Sequence, residues 1–383
     1  MESYTVPSTK ICLFFTYGIS LKKWDELGII DREIILYNNL VKRGAEVAFF
    51  TYGDEDDLSY ASRIPGIKII PAYMSCRNYK NKKLNFLHSF LLPLKFRKVL
   101  TQFDILKTNQ MWGSWVPLIA KWLLGKRLIL RCGYEHYYTL LSDKCGCVKR
   151  SIFYLFSWIM YFYSDRIVLT TDLIAEFVSK TFLVPEKKIS LQPNFIDTEL
   201  FAAKNGTVLQ EKRLLFVGRL SREKNLFALI EACKKINTGV DLIGDGILKP
   251  ELQEFANRIK ADVRFLGIIP NKELPAYIVR YDIFILPSFY EGNPKTLLEA
   301  MSCAMPVIGT NVDGIRELIN NNENGILCGV TAEEIAGAII RLADDPGLKQ
   351  KLGQNARKYI VNNCSINRIV DTELKIYQYT LKK

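Results

Sequence analysis

One segment in the second half of the chain combines glycine with two cationic side chains where a predicted strand ends. Gly218 follows the apolar run Arg213–Val217, and Arg219 and Lys224 come next, just before a predicted helix. An arginine can fork two phosphate oxygens, a lysine supplies a point charge, and a helix amino terminus adds a favourable dipole. These residue types at this spacing would suit a diphosphate clamp, although an isolated basic strand–helix loop is at least as common.

A pair of glutamates follows a second apolar strand. Glu291 lies in a loop with Gly292, and Glu299 stands eight positions after Glu291, within a predicted helix. A carboxylate accepts several hydrogen bonds, so Glu291 could hold sugar hydroxyls and Glu299 the two hydroxyls of a ribose. Pro294 suits a first-turn position that needs no N–H donor, and the amides near Asn293–Lys295 could face a phosphate or a sugar. Taken singly, either glutamate is more typical of a solvated surface position.

These residues belong to a chain in which short apolar runs alternate with longer helical patterns. The strands predicted in the first half are Ile11–Thr16, Glu46–Thr51, Lys68–Ile70, Ile105–Thr108, Leu128–Arg131 and Arg166–Thr170. The pattern restarts after residue 200, with predicted strands at Arg213–Val217, Val240–Ile243, Val263–Leu266, Ile283–Leu286 and Pro306–Gly309. This order predicts two parallel sheets covered by helices, with ligands bound at the carboxyl ends of the strands.

Chain length and a break in the pattern predict two domains. A chain of 383 residues exceeds one typical domain, and the pattern is interrupted at Pro193 and Asn194. We therefore expect a first domain over residues 1–193, a second over residues 194–365, and a final helix over residues 366–383.

The composition is that of a folded, basic protein. Apolar residues make up 49%, and 52 Lys and Arg against 40 Asp and Glu give a net charge of +12. This excess of positive charge would attract phosphorylated ligands, anionic lipid or nucleic acid. The alternative is a soluble basic protein that binds no polyanion. Nucleic acid is disfavoured because the basic residues are spread out and no binding motif for it is recognised.

Cysteine usage and hydropathy favour a cytoplasmic protein. The nine cysteines show no spacing framework, Cys145 and Cys147 are too close for a zinc knuckle, and the amino terminus lacks signal-peptide features. No apolar run reaches the roughly 18 residues of a membrane span. The longest, Ile152–Tyr163, is expected to form a buried core helix rather than a membrane-surface helix.

Five segments taken together resemble the nucleotide-sugar-binding domain of retaining glycosyltransferases with the GT-B fold, of the family 4 type. They are GRLSREKN (218–225), LIGDG (242–246), VRFLG (263–267), PSFYEGNPKTLLEAM (287–301) and PVIGTNVDGIRELI (306–319). The resemblance implies an α/β protein with two Rossmann-like doubly wound domains that face across a cleft. It also implies that the first domain binds the acceptor and that the final helix crosses back to it.

The resemblance also implies roles for individual residues. Arg219 and Lys224 would bind the donor diphosphate and stabilise it as it leaves, without a metal. Glu291 would contact the transferred sugar and Glu299 the ribose. Further donor-binding candidates are Gly18, Gly218, Gly244, Phe265, Leu266, Gly292, Asn293, Pro294, Lys295 and Leu297. The family often has Phe-Gly where this chain has Asn293-Pro294, so the identity of the donor sugar stays open.

His136 is a candidate for the histidine that relatives often carry at the sugar end of the cleft. It lies a few positions later than the family pattern, so Cys132 is the alternative occupant of that position. A single histidine at the mouth of a loop is equally typical of an ordinary polar surface residue.

The implied activity is that of a hexosyltransferase (EC 2.4) that moves a sugar from a nucleotide-sugar to a glycan or lipid-linked glycan in polysaccharide biosynthesis. A UDP-sugar is the expected donor, with GDP open, and the expected location is the cytoplasm or the cytoplasmic face of the membrane. The basic segment Leu84–Leu100 would either contact an anionic membrane or form a core helix with a solvated basic face. The acidic run Asp54–Asp57 is expected to be a solvated turn and not a metal site.

Two other functions fit the same residues. A sugar-nucleotide epimerase would need no acceptor and would release free sugar. An inactive sugar-nucleotide-binding protein would bind nucleotide and turn nothing over, which the intact set of charged residues disfavours.

Overall fold

The computed structural model describes residues 9–133, 135–142, 146–202 and 211–382, so Cys145 of the closely spaced cysteine pair lies outside the described residues. The chain forms two compact units. The first comprises the chain up to Pro193 together with the residues from Ile369 onward, and the second runs from Asn194 to Arg368.

The first unit is built on a seven-stranded parallel sheet with the order β3-β2-β1-β4-β5-β6-β7. Its strands are β1 (Lys10–Phe14), β2 (Glu46–Thr51), β3 (Ile67–Pro71), β4 (Ile105–Thr108), β5 (Arg127–Cys132), β6 (Arg166–Leu169) and β7 (Ile189–Leu191). Its helices are α1 (Leu21–Glu26), α2 (Ile30–Lys42), α3 (Ala72–Ser75), α4 (Lys82–Ser89), α5 (Leu92–Lys95), α6 (Arg97–Leu100), α7 (Trp115–Leu124), α8 (His136–Ser142), α9 (Cys147–Tyr163) and α10 (Asp172–Phe182). Two 3-10 helices, Glu55–Ser62 and Glu186–Lys188, complete it.

The second unit is built on a six-stranded parallel sheet with the order β10-β9-β8-β11-β12-β13. Its strands are β8 (Glu211–Val217), β9 (Val240–Ile243), β10 (Val263–Gly267), β11 (Tyr281–Leu286), β12 (Val307–Thr310) and β13 (Ile326–Cys328). Its helices are the 3-10 helix Arg222–Lys224 and α11 (Leu226–Lys235), α12 (Lys249–Ile259), α13 (Leu274–Ile278), α14 (Lys295–Ser302), α15 (Ala332–Ala343) and α16 (Pro346–Asn363). The last helix, α17 (Ile366–Leu381), continues the chain into the first unit.

Two doubly wound parallel sheets of an α/β protein are therefore confirmed. Both faces of each sheet are covered, which is why the central strands are nearly continuous apolar runs; all four residues from Leu214 to Val217 in β8 are buried, for example. Each predicted strand is present within two residues of its expected ends. The strands β7 and β13 escape prediction because three residues are too few to show a periodic pattern.

A buried ion pair attaches α17 to the first sheet. Lys107 of β4 and Glu373 of α17 are both fully buried, and the Lys107 Nζ donates to Glu373 Oε1. Gln192 Nε2 donates to the same oxygen at 3.1 Å, and Lys107 Nζ lies 3.3 Å from the Tyr377 hydroxyl. Burial alone would raise the pKa of Glu373, but the positive charges of Lys107 and Arg131 bring that pKa below its ordinary value.

The structure corrects three expectations about the first unit, the third of them only in part. The segment Ile152–Tyr163 does form a helix, but its outer side chains are exposed, so it is not a buried core helix. The segment Leu84–Leu100 is not one helix, because it is divided among α4, α5 and α6 with Pro93 in the first turn of α5. Asp57 is buried, accepting bonds from the Lys22 N–H at 3.1 Å and the Thr51 hydroxyl, so the acidic run is only partly a solvated turn.

The structure also bears on membrane crossing. None of the helices within the described residues has both the length and the apolar character that a bilayer span requires.

The buried pair leads to a stability prediction. Replacing Glu373 with Gln leaves the Lys107 ammonium buried without a carboxylate, which should lower the free energy of unfolding by about 3–5 kcal/mol. Glu176→Gln is the matched control, because Glu176 is exposed and pairs with Lys180 one helical turn away; it should leave stability nearly unchanged. Urea unfolding followed by circular dichroism measures both variants, and equal midpoints for them would contradict the prediction.

The same pair sets a pH dependence. Because the pKa of Glu373 is lowered in the folded protein, its ionised form stabilises the fold above the unfolded-state value of about 4.3. That contribution is lost as the pH falls through the lower folded-state pKa. The stability gap between wild type and Glu373→Gln should therefore be full near pH 7 and should shrink in acid. A gap of constant size down to pH 3 would show that the carboxylate charge is not what stabilises α17.

Candidate functional site

Two loops of the second unit meet where the order of its strands changes direction. We call residues 218–225 the β8 loop and residues 287–294 the β11 loop, since each follows the carboxyl end of that strand. β8 and β11 are neighbours in the sheet, while β9 lies on the other side of β8. Ligands of such sheets bind in the crevice that this change of direction opens. The two loops are joined there, because the Phe289 N–H donates to the Glu223 carbonyl at 2.8 Å.

An ion pair links the side chains of these loops. Lys224 Nζ lies 2.5 Å from Glu291 Oε1, and the Ser288 hydroxyl donates to the same oxygen at 2.7 Å. The side chains of Lys224 and Glu291 are only 17% and 11% exposed. Charges so shielded from water interact more strongly than a pair on the open surface, so both side chains are held in one geometry.

Arg219 differs from Lys224 in having no such partner. Its side chain is exposed at the end of β8. Among the residues that the structure describes, none makes a hydrogen bond or ion pair with its guanidinium. Of the two cations predicted to form a clamp, Arg219 is thus available to an anion, whereas Lys224 would share its ammonium between Glu291 and the anion.

Glycines let the strand ends approach one another behind the β8 loop. Gly244 has a φ of +131°, and its N–H donates to the Gly267 carbonyl at 2.7 Å. A Cβ added to Gly244 would overlap the Gly218 carbonyl. Gly218 and Gly244 therefore have a packing role at the carboxyl ends of the strands, apart from any contact with a ligand.

A third glycine supports the β11 loop and was not among the predicted site residues. Gly314 has a φ of +78°, and an added Cβ would overlap the carbonyl oxygens of both Glu291 and Gly292. Behind them, the Thr310 hydroxyl donates to the Ser288 carbonyl. The position of the Glu291 carboxylate thus depends on the last residue of β12 and on the loop that follows it. Sequence gives only a weak signal for this, a glycine after Asn-Val-Asp.

Glu299 lies in α14 and is 1% exposed. Its Oε1 accepts a hydrogen bond of 2.7 Å from the side-chain amide of Asn271, itself a buried residue before α13. The amide fixes the orientation of the carboxylate. Asn271 is a second residue that sequence reasoning missed, because the contact joins segments 28 positions apart.

The structure gives several of the other candidates a packing role. The Asn293 side-chain oxygen accepts the Asn194 N–H at 2.9 Å, and its carbonyl accepts the Asn194 amide at 2.6 Å. The Lys295 ammonium lies 5.2 Å from the centre of the Phe195 ring. The Leu297 side chain is fully buried in the core of the second unit, so a ligand contact at this position would have to come from its backbone.

The start of α14 also departs from expectation. Pro294 is not in the first turn but precedes it as the capping residue, with the helix beginning at Lys295. Pro294 has no side-chain acceptor with which to cap this end. An anion bound there would face the opening amides of α14.

The base-reading segment is only partly exposed. Phe265 packs against the core of the second unit, and Leu266 is 38% exposed beside Gly267. This leaves the backbone near residue 266 at the surface, as a base-reading role would require.

The remaining candidates belong to the first unit. Gly18 follows β1 with a φ of +80° and open space around it. His136 begins α8 and is half-buried, with its ring 5.9 Å from that of Phe153. Burial and the charge of Lys149 lower the pKa of His136, so the imidazole is neutral near pH 7. Cys132, the alternative, is fully buried at the end of β5.

Glu135 is a further residue that the sequence did not single out. It is 2% exposed, and it accepts hydrogen bonds from the Tyr161 hydroxyl, the Ser157 hydroxyl at 3.1 Å and the Tyr137 N–H at 3.0 Å. Burial raises its pKa despite these donors. The carboxyl group fastens the start of α8, and with it His136, to α9.

The described parts of the chain contain no group of three His, Cys, Asp or Glu side chains that could hold a metal ion. Within the second unit, the structure brings together Lys224 with Glu291 and Glu299 with Asn271. Contact of any of these residues with a ligand stays a prediction.

Two protein-family models match the chain. The model described as "Glycosyltransferase Family 4" matches residues 35–200, and the model described as "Glycosyl transferases group 1" matches residues 197–359.

Relatives of known activity match over most of the chain. An Escherichia coli protein named UDP-Gal:alpha-D-GlcNAc-diphosphoundecaprenol alpha-1,3-galactosyltransferase is 29% identical over 79% of this chain and 81% of its own length. A Campylobacter jejuni protein, N-acetylgalactosamine-N,N'-diacetylbacillosaminyl-diphospho-undecaprenol 4-alpha-N-acetylgalactosaminyltransferase, is 27% identical over 76% of this chain and 80% of its own.

Solved structures share the fold. Sucrose-phosphate synthase from Thermosynechococcus elongatus has a TM-score of 0.81 at 18% identity, covering 97% of this chain and 98% of its own. The Anabaena protein HepE, solved with UDP and glucose, has a TM-score of 0.77 at 16% identity, covering 97% and 100%. At such low identity these similarities support the fold alone.

The packing of Gly314 leads to a prediction. Gly314→Ala adds a methyl group that overlaps the β11 loop backbone, at a φ that costs a non-glycine residue about 1–3 kcal/mol. We expect a lower thermal unfolding midpoint. The matched control is Gly337→Ala in α15, where the added methyl meets open space and should stabilise the helix by roughly 0.5–1 kcal/mol. Unchanged stability of Gly314→Ala would mean that the β11 loop is not held from this side.

Proposed function

Because the chain belongs to the GT-B glycosyltransferases of the family 4 type, we propose that it moves a sugar from a UDP-sugar to a lipid-linked glycan, with retention of anomeric configuration. Its hexosyltransferase activity (EC 2.4) is the coarser and established part of this statement. The observation that carries the finer part is the shielded Lys224–Glu291 pair beside the unpartnered cation of Arg219, at the edge of the sheet where ligands bind.

The leaving UDP is the first part of the proposal. As the bond between sugar and phosphate breaks, negative charge grows on the diphosphate. Arg219 can form two parallel hydrogen bonds to it, and the start of α14 adds the positive end of a helix dipole. Lys224 is already oriented by Glu291, so no reorganisation is needed when the charge develops. In this proposal these groups do the work that a metal does in other transferases.

Glu291 is the residue that we place against the transferred sugar. The two hydrogen bonds that the described residues make to its carboxylate both go to Oε1. Oε2 is therefore the oxygen that we expect to accept a sugar hydroxyl. A carboxylate beside the reacting carbon also stabilises the positive charge that the sugar ring gains in the transition state.

Glu299 would hold the ribose of the nucleotide. Its carboxylate has acceptor positions for two neighbouring hydroxyls, and the Asn271 amide keeps it oriented before the ligand arrives. A residue held in advance loses little freedom on binding, which favours affinity.

The names of the relatives support the donor and the acceptor. The E. coli relative is named for UDP-Gal, and both relatives are named for sugars linked through diphosphate to undecaprenol. Both names also specify an alpha product, as retention of an alpha-linked donor requires. An acceptor of this kind resides in a membrane, so we infer that the protein works at the cytoplasmic face of one.

A nucleotide-binding experiment tests the proposed clamp. At a hundred times its dissociation constant, UDP should stabilise the wild type by about 2.7 kcal/mol. The double variant Arg219→Ala/Lys224→Ala should lose that shift in thermal unfolding. The matched control is Arg341→Ala/Lys351→Ala, which removes the same two charges from exposed positions on α15 and α16 and should keep the full shift.

Parallel scans with GDP and ADP identify the base. A shift with GDP alone would overturn the UDP assignment and keep the clamp. No shift with any of the three, from folded wild type, would contradict the donor site. Free sugar released from UDP-galactose without an acceptor would favour an epimerase or a hydrolase.

The two glutamates should separate in a kinetic test. Glu291→Gln should lower the turnover of UDP-galactose with an undecaprenyl-diphosphate-linked sugar about 100-fold or more, while leaving the UDP-induced thermal shift intact. Glu299→Gln should instead weaken UDP binding by roughly 1.5–3 kcal/mol, through loss of charged hydrogen bonds. The penalty should be smaller with 2′-deoxy-UDP, measured by calorimetry. Equal penalties for both nucleotides would place Glu299 away from the ribose.

A further inference from the structure

The outer face of α9 is apolar where a surface helix is normally charged. Four side chains recur at helical spacing along this face and are 76%, 62%, 56% and 54% exposed: Val148, Ile152, Leu155 and Phe162. The opposite face carries the buried residues Ser157, Met160 and Tyr161. The helix is therefore packed on its polar-aromatic side and shows its aliphatic side to solvent.

A second exposed stripe lies along α4 and the residues that follow it. Leu84, Leu87 and Leu91 recur at intervals of three and four, and Leu87 is 63% exposed. Large exposed apolar patches on soluble proteins mark sites of interaction.

An aromatic seam connects the two stripes. Trp115 at the start of α7 contacts Phe86 and Phe90 of the α4 segment, with ring centres 5.2 and 5.9 Å away. On its other side Trp115 lies 6.1 Å from Phe156 of α9. The inner sides of α4 and α9 thus pack against the same buried ring, so the two stripes lie on neighbouring helices. We call the two stripes together the apolar face of the first unit.

The charge around the apolar face is positive. Residues 72–103, which include α4, contain seven Lys and Arg and no Asp or Glu. Lys82 and Lys83 are exposed on α4 itself. Lys149 and Arg150 lie in the first turn of α9, and no acidic residue follows before Asp165.

A shallow, apolar pocket of about 480 Å³ opens at the start of the same helix, between Cys147, Ile152 and Phe153. It extends the apolar face toward Lys149. Its lining is mostly apolar and includes Lys149, so it offers contact surface to a hydrocarbon chain beside a positive charge.

We propose that the apolar face docks the first unit onto the surface of an anionic lipid bilayer. Aliphatic side chains would enter the boundary between head groups and acyl chains, while the flanking lysines and arginines meet lipid phosphates. A second copy of the chain is a poorer occupant, since self-association through this face would bring its like charges together. This docking surface goes beyond the proposed function. It rests on that function in one respect only, namely that docking would give access to a lipid-linked acceptor.

Flotation with lipid vesicles tests the proposal without donor or acceptor. The wild type should float with vesicles of phosphatidylcholine and phosphatidylglycerol, should float far less with phosphatidylcholine alone, and should be released by salt. Ile152→Glu/Leu155→Glu should lower the partition coefficient at least about tenfold, because two apolar contacts are lost and two like charges face the lipid. Ile340→Glu/Val361→Glu is the matched control, with two exposed aliphatic residues of α15 and α16 replaced in the second unit.

A second pair of variants tests the charge. Lys82→Gln/Lys83→Gln should weaken binding about fivefold per residue, whereas Arg341→Gln/Lys351→Gln should not. The UDP-induced thermal shift, measured on every variant, reports an intact fold and donor site. A shift absent from the wild type would count against the proposed function and not against the docking surface.

Each outcome of these experiments either supports or overturns the proposed docking surface. Loss of flotation in the α9 variant with retention in its control supports the proposal. A wild type that does not float with anionic vesicles overturns it, and so does an α9 variant that floats as well as the wild type. A lipid-free dimer, seen by analytical ultracentrifugation and dissociated by Ile152→Glu/Leu155→Glu, would assign the face to a second copy and overturn the lipid assignment.

Discussion

Parallel strands buried on both faces confine the polar chemistry of each unit to the ends of its strands. In the second unit this constraint places Arg219 and Glu291 in the loops after two neighbouring strands, where the sheet offers its crevice. The packed apolar interior is rigid, and short contacts such as that of Gly314 with the β11 loop hold the loops against it. These contacts fix the positions of the site residues.

Within that site, opposite charges are set against each other before any ligand is present. Glu291 balances Lys224 in a place largely shielded from water, so neither charge is left alone at full desolvation cost. The exposed Arg219, which has no ion-pair partner among the described residues, leaves a positive excess at the end of β8. Such an arrangement attracts a diphosphate while holding the carboxylate that the positively charged sugar needs. The diphosphate requires positive charge and the sugar requires negative charge, and the two loops provide both at neighbouring positions.

Much of this could be read from the sequence, because strands and their terminal loops are local features. The strands and the residues Arg219, Lys224, Glu291 and Glu299 follow from short patterns. Asn271, Gly314 and Glu135 do not, since their importance lies in contacts with distant segments. The burial of the Leu297 side chain was also not foreseen, because spacing alone does not tell which side of α14 meets the core. The same limit applies to α9, whose hydropathy suggests burial but does not say which face is covered.

The ion pair between Lys107 and Glu373 has a consequence for folding during synthesis on the ribosome. The two residues stand 266 positions apart, with the whole second unit between them. The second unit can therefore complete its core while the first still lacks α17. Until α17 has been synthesised, the buried lysine of the first sheet has no carboxylate from that helix as its counter-charge. Although most of it is synthesised earlier, the first unit is therefore completed only after the second, once α17 has been made.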